Sequence, residues 1–208
     1  MSHATRREYH DPFAMEVEQA LQDWGFLATC PAYHEHMPSE MVVRMRKLDT
    51  PTTDFARNGA DLFAIHRTLP LALFAEAKTH RSSRYHNLAV EARQFVQRIE
   101  EARNGCLCLF CYRDPGLRDV GFWVHECPPV DCVLIPDRWD GEQAQEWQER
   151  FARAIPGVPI RRTRNTAGGS DTPFVLISES RLVELGHWRG LIGEMVEQVS
   201  ALCEVGAL

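Results

Sequence analysis

The sequence predicts an α/β fold with a mixed central β-sheet flanked by helices. Three observations predict it. Residues 58–80 (NGADLFAIHRTLPLALFAEAKTH) hold two apolar runs, 60–65 and 71–77, on either side of Arg67-Thr68-Leu69-Pro70, which is the pattern of a strand hairpin. Residues 88–103 place Leu88, Ala92, Phe95, Val96 and Ile99 on one helical stripe. The continuous apolar run CLCLFCY at 106–112 follows, too uniform for a half-exposed strand and suited to a central, doubly covered one. A strand, a helix and a second strand in this order imply a parallel crossover.

The remaining elements follow in order. Residues 1–11 are polar and read as a loosely held start. Asp11-Pro12 suits a helix start, with Asp as N-cap and Pro in the first turn. Phe13, Val17, Ala20, Leu21 and Trp24 then fall at helical spacing until Gly25 stops the helix. Residues 26–33 suit a first strand, broken at Pro31, and 41–48 (MVVRMRKL) suit another strand or short helix. Beyond the central run, 120–125 and 131–135 read as strands, 141–154 as a helix, and 155–170 (IPGVPIRRTRNTAGGS) as a mobile loop with room for a short strand at its start. A short strand at 174–178 and an amphipathic helix at 188–203 complete the chain. One domain is expected over 1–208, with a core at about 11–135 and an α/β C-terminal extension at about 136–208.

Composition excludes several classes. With 44% apolar and 25% charged residues the chain is ordinary for a globular protein. No apolar run reaches the twenty or so residues of a membrane span, and MSHATRREYHD has no signal-peptide stretch, so a cytoplasmic location and no membrane partner are expected. The seven Cys are expected to be mostly reduced thiols. The net charge of −6 opposes a nucleic-acid partner only on average, because binding needs local positive potential. Local basic clusters occur at 44–47, at 78–84 with Lys78, Arg81 and Arg84, and at 161–164 with Arg161, Arg162 and Arg164.

The chemistry concentrates in the hairpin. Residues two apart in a strand share a face, so Glu76 and Lys78 point the same way. A hairpin folded about the midpoint of Thr68 and Leu69 pairs positions summing to 137, which sets Asp61 opposite Glu76, roughly 5 Å apart at Cβ. The turn lacks Asn-Gly or Asp-Gly chemistry, so a longer loop is expected, and a symmetric one keeps this register. Two adjacent carboxylates repel each other and call for a positive partner. A divalent cation with hard oxygen ligands, magnesium or manganese, is one answer, and with Lys78 alongside it suits phosphodiester hydrolysis. A structural Asp–Lys or Glu–Lys pair is the other. Spacing leaves both open.

Asp61 followed by Glu76-Ala77-Lys78 after an apolar strand resembles the PD-(D/E)XK nuclease superfamily, which includes restriction endonucleases and Holliday junction resolvases. The resemblance covers about residues 13–112. Asp61 matches the family's strand Asp, and Glu76 with Lys78 matches its E-x-K. The residue before Asp61 is Ala60 where the motif's name has Pro. The resemblance implies a restriction-endonuclease-like core and a metal-dependent nuclease acting on nucleic acid, DNA first, with homodimers among the expected assemblies. It implies that Asp61, Glu76 and the Ala77 carbonyl hold Mg2+ (or Mn2+), that Lys78 positions or activates water, and that Glu16 or Glu18 on the first helix completes the acidic cluster. Gln94 takes the place of a supporting helix Gln found in some branches, and Asp54 is a lesser acidic candidate. The rival is an inactive binding or accessory protein of the same fold.

Other constellations carry less. His34-Glu35-His36 lacks a third ligand, and His125, Cys127 and Cys132 lack a fourth. Cys106, Cys108 and Cys111 have a C-x-C-x-x-C spacing, but on a strand the first two share one face and the third takes the other, so core packing is expected.

Overall fold

The structure, a computed structural model, describes residues 3–29, 59–79, 87–113, 119–124, 129–164 and 172–207, with the side chains of the first helix from Pro12 onward. His34, His36, Asp54, Arg81, Arg84, Tyr85, His125, Cys127 and the segment 41–48 lie outside the described residues. In chain order the elements are α1 (His3–Asp23), β1 (Phe26–Thr29), β2 (Leu62–His66), β3 (Ala72–Thr79), β4 (Leu88–Glu91), α2 (Ala92–Arg103), β5 (Leu107–Arg113), β6 (Asp119–Trp123), β7 (Cys132–Pro136), α3 (Gly141–Ala154), β8 (Ile160–Thr163), β9 (Phe174–Ile177), α4 (Glu179–Val183) and α5 (Trp188–Glu204).

They build the expected α/β architecture as two mixed sheets flanked by helices. The larger sheet has the order β1-β2-β3-β5-β6, with β3 and β5 parallel and the other neighbours antiparallel. The smaller has the order β4-β9-β7-β8. β4 and β7, from within the stretch assigned to the core, pair there with strands of the C-terminal extension.

Alternation along β3 and β5 sorts their side chains into two cores. Leu73, Ala75, Ala77, Leu109 and Cys111 join Leu62, Ala64, Val17, Leu21, Trp188 and Ile192 under α1 and α5. Cys108, Phe110 and Tyr112 face the other way, into a core shared by α2, α3 and the second sheet. Cys108 and Cys111 are therefore divided between the two cores, as strand geometry requires, whereas Cys106, also expected to pack in the core, precedes β5 and is exposed. Burial pushes the Cys108 thiol up to about 12 and the Cys111 thiol well above its ordinary value, so both are neutral packing groups.

The hairpin takes the register expected of it. Leu62 pairs with Ala75, Phe63 with Phe74, Ala64 with Leu73 and Ile65 with Ala72. His66 closes the loop: its backbone N–H donates to Leu71 O at 2.8 Å, and its Nδ1 accepts from Leu69 N at 3.0 Å. Its Nε2 lies 3.0 Å from Trp24 O, tying the loop to the end of α1. Gly25 makes that corner with φ +90°, where a Cβ would lie 2.8 Å from His66 Nε2. Gly121 allows a close approach on the opposite edge, since a Cβ there would lie 2.6 Å from the Trp188 Cβ of α5.

Two local expectations are corrected. Residues 88–91 are strand β4 and not the first turn of a helix. Leu88 and Val90 point inward with Ala89 outward, and pairing with β9 satisfies a backbone that the helical stripe alone assigned to the helix. α1 does not start at Pro12 but runs from His3, with Pro12 inside it. An interior proline loses one intrahelical bond and its ring crowds the carbonyl four residues back, so the helix continues through Pro12 at a local cost. Residues 160–163 are strand β8, parallel to β7, within the segment expected to be a mobile loop with room for a short strand at its start. Among the described residues no helix is long and apolar enough to cross a membrane.

Candidate functional site

The site lies at the open end of the hairpin, where β3 sits between β2 and β5. Asp61 precedes β2 and continues the register to Glu76. Its Oδ2 accepts the Ala77 backbone N–H at 2.9 Å and the Lys78 ammonium at 2.8 Å. Lys78 Nζ also lies 2.9 Å from Glu76 Oε2, so one cation bridges two carboxylates. The Glu76 side chain is only 1% exposed, against 26% for Asp61 and 16% for Lys78. Neither Glu76 oxygen makes a well-formed hydrogen bond among the described residues, although both lie within ion-pair distance of a cation.

The second cation comes from α2. Arg98 is 1% exposed, and its Nε lies 3.5 Å from Glu76 Oε1. The same guanidinium reaches Glu101 Oε2 at 3.0 Å through NH1 and sits 5.5 Å from the centre of the Phe74 ring. Asp61, Lys78, Glu76, Arg98 and Glu101 thus form a chain of alternating charge from the hairpin end into α2. Burial dominates its electrostatics. Loss of hydration pushes the Glu76 carboxyl up to about 8; Lys78 and Arg98 pull it down, and Asp61 adds to the rise. Burial works against the charge on Lys78, but Asp61 and Glu76 outweigh it and hold the ammonium well above the ordinary lysine range.

The first-helix acids go elsewhere. Glu16 is held by Arg113 at the end of β5, with NH1 donating to Oε1 at 2.9 Å and NH2 to Oε2 at 2.8 Å. Arg113 also grips Asp119, at 2.6 Å through Nε and 2.7 Å through NH2. The hydrogen bonds from Arg113 hold Glu16 below the ordinary carboxylate value. Glu18 turns along the helix toward Gln22, 3.4 Å away. The expectation that one of them completes the acidic cluster is corrected: among the described residues no three carboxylate, His or Cys groups converge. A bidentate guanidinium is a better partner for Glu16 than a second pair of acids.

The three arginines expected to act together are also separated. Arg161 and Arg162 lie next to each other on β8, the edge strand of the second sheet, so they point to opposite faces. Arg162 donates to Asp137 O at 3.2 Å, and Arg164 Nε lies 3.4 Å from Asp137 Oδ2 with its side chain 93% exposed.

Sequence reasoning missed Arg98, Glu101 and Arg113 as partners of the acids. One signal existed: Arg98 falls on the apolar stripe of α2, between Phe95 and Ile99, with Glu101 three residues on. A charge on a buried stripe needs a buried counter-charge.

No family model and no curated protein sequence matches this chain. Among solved structures, it is similar to Hjc of Archaeoglobus fulgidus, a Holliday junction resolvase from an archaeal hyperthermophile. The identity is 14%, the match covers 88% of this chain and 95% of that one, and the TM-score is 0.45.

Proposed function

We propose that this protein is a metal-dependent nuclease of the PD-(D/E)XK type, cleaving phosphodiester bonds of nucleic acid, DNA first. The observation that carries this reading is the meeting of Asp61, Glu76 and Lys78 at the hairpin end, with one ammonium between two carboxylates at 2.8 and 2.9 Å.

The residues fit a hard divalent cation. Both side chains offer oxygen only, the Glu76 oxygens are buried without a well-formed hydrogen bond, and a positive group already stands between the acids. Magnesium or manganese is commonly held by one or two carboxylates with water filling the other positions. Asp61 and Glu76 would hold it, with the Ala77 carbonyl as a further donor. When bound, such a cation supplies Lewis-acid polarisation of a phosphoryl oxygen and offsets the charge gathering there.

The chain's own residues do the rest. The Ala77 N–H fixes the Asp61 carboxylate in place. Lys78 stays protonated across the neutral range and, released from its bridge, orients the attacking water or neutralises charge developing on the phosphoryl oxygens. The exposed Arg161 and Arg164 are proposed contacts to the nucleic-acid backbone. Arg81 and Arg84, which follow β3 in sequence, are proposed as further ones.

A binding or accessory protein of the same fold is the second reading. It is favoured by the closed bridge, in which the Lys78 ammonium already stands between both acids as their counter-charge. Cleavage of linear, circular, branched and single-stranded DNA by the purified chain in manganese, beside Lys78→Ala, decides between them. Cleavage that vanishes in the variant supports the nuclease; none by either protein supports the binding protein.

A further inference from the structure

We infer that Arg98 is a positioning residue that divides the two oxygens of Glu76, turning Oε1 toward α2 and leaving Oε2 to face a cation beside Asp61. This rests on the metal-binding reading above and names a residue that the hairpin motif does not contain.

Glu76 is 1% exposed, so water cannot orient its carboxylate. Its two oxygens meet different cations: Oε2 has Lys78 Nζ at 2.9 Å and Oε1 has Arg98 Nε at 3.5 Å. Arg98 is itself fixed by Glu101 through NH1 at 3.0 Å and by the Phe74 ring, and it is as deeply buried as Glu76. A guanidinium held on two sides cannot follow a rotating carboxylate, so it sets the orientation of Glu76. Glu101 is less buried, with 18% of its side chain exposed, and anchors the arrangement from the outer turn of α2.

Among the described residues, loss of Arg98 leaves Lys78 as the counter-charge to both oxygens of Glu76, which then rotate toward it. A divalent cation then has to displace a lysine held by two oxygens of Glu76 and one of Asp61. Partners one step beyond a metal's own ligands change affinity by about 10- to 100-fold when removed. That is the size expected here.

The test is Mn2+ binding followed by titration calorimetry, on wild type, Arg98→Met, Arg98→Lys and Glu101→Gln, each first checked for cooperative thermal unfolding. Arg98→Met should bind Mn2+ about 10- to 100-fold more weakly. Arg98→Lys keeps a charge beside Oε1 and should recover most of the affinity. Glu101→Gln should weaken binding in the same direction by less, and it decides the matter together with Arg98→Lys if Arg98→Met does not fold. Folded Arg98→Met or Glu101→Gln with wild-type affinity overturns the inference, as does Arg98→Lys binding as weakly as Arg98→Met. Wild type that binds no Mn2+ removes the metal-binding reading itself, and this inference with it. Wild type that binds while the variants match it removes this inference alone.

Discussion

Two ionic clusters lie against the larger sheet, one on each face, and they are built from nearly the same parts. On one face Asp61, Glu76 and Glu101 meet Lys78 and Arg98. On the other, Glu16 and Asp119 meet Arg113, with Arg189 3.7 Å from Glu16. The difference lies in saturation. Arg113 donates four hydrogen bonds of 2.6 to 2.9 Å to its two acids, and Glu16 is held below its ordinary value. Glu76 is deeper, has no well-formed hydrogen bond, and is pushed up to about 8. A saturated cluster is a clamp between α1 and β5. A buried carboxylate pair with one shared ammonium has capacity left for chemistry.

The largest effect that would break this comparison is on turnover. Lys78→Ala should lower the single-turnover cleavage rate by on the order of 10² to 10³, about 3–4 kcal/mol, while still folding. Lys78→Arg should rescue it poorly, because a planar fork does not replace a compact ammonium. A Lys78→Ala protein cleaving at the wild-type rate removes the role assigned to this lysine.

Metal binding should follow the same division. Magnesium at about one hundred times its dissociation constant should stabilise the native chain by about 2.7 kcal/mol. Asp61→Asn should abolish that thermal shift. Arg113→Met should leave the shift intact while destabilising the metal-free chain by about 1–3 kcal/mol, since it removes the four hydrogen bonds that hold Glu16 and Asp119. Loss of the shift in Arg113→Met would mean that the two clusters are not separate.

Dependence on pH should separate them by sign. Glu76 binds its proton more tightly in the folded chain than its ordinary 4.5 allows, so its contribution to stability is complete below that value and is lost as pH rises through about 8. The stabilisation by magnesium should therefore grow with pH over this window, and Glu76→Gln should flatten both trends. Glu16 is shifted the other way, so its contribution is present above the ordinary value and is lost as pH falls through its lowered one. Chemical denaturation of the chain from about pH 2 to pH 9, with and without magnesium, reads both. A flat response in wild type would contradict the burial argument for Glu76.

The smallest effect concerns the edge strand. Arg161→Ala with Arg164→Ala should flatten the salt dependence of DNA binding by up to about two phosphate contacts. Adding Arg162→Ala should change little further, because that side chain is engaged with the backbone carbonyl of Asp137. An unchanged slope returns β8 to a purely structural role.

Much of the fold was legible because strand alternation and helical stripes are local properties. The sequence alone determined the hairpin register, since Arg67-Thr68-Leu69-Pro70 lies symmetrically between two apolar runs and so brings Asp61 and Glu76 together. It also determined the division of Cys108 from Cys111, which needs only a strand, and the bounds of α3, whose buried Ala144, Trp147, Phe151 and Ala154 repeat at helical spacing. Only the tertiary structure decided that residues 88–91 pair with β9 more than eighty positions away, and that Glu16 faces Arg113, 97 residues on. It alone placed Arg98 behind Glu76. Local periodicity fixes which face a residue takes. The partner that meets that face is set by which distant segments pack there, and a buried charge is stable only where such a segment brings the opposite charge.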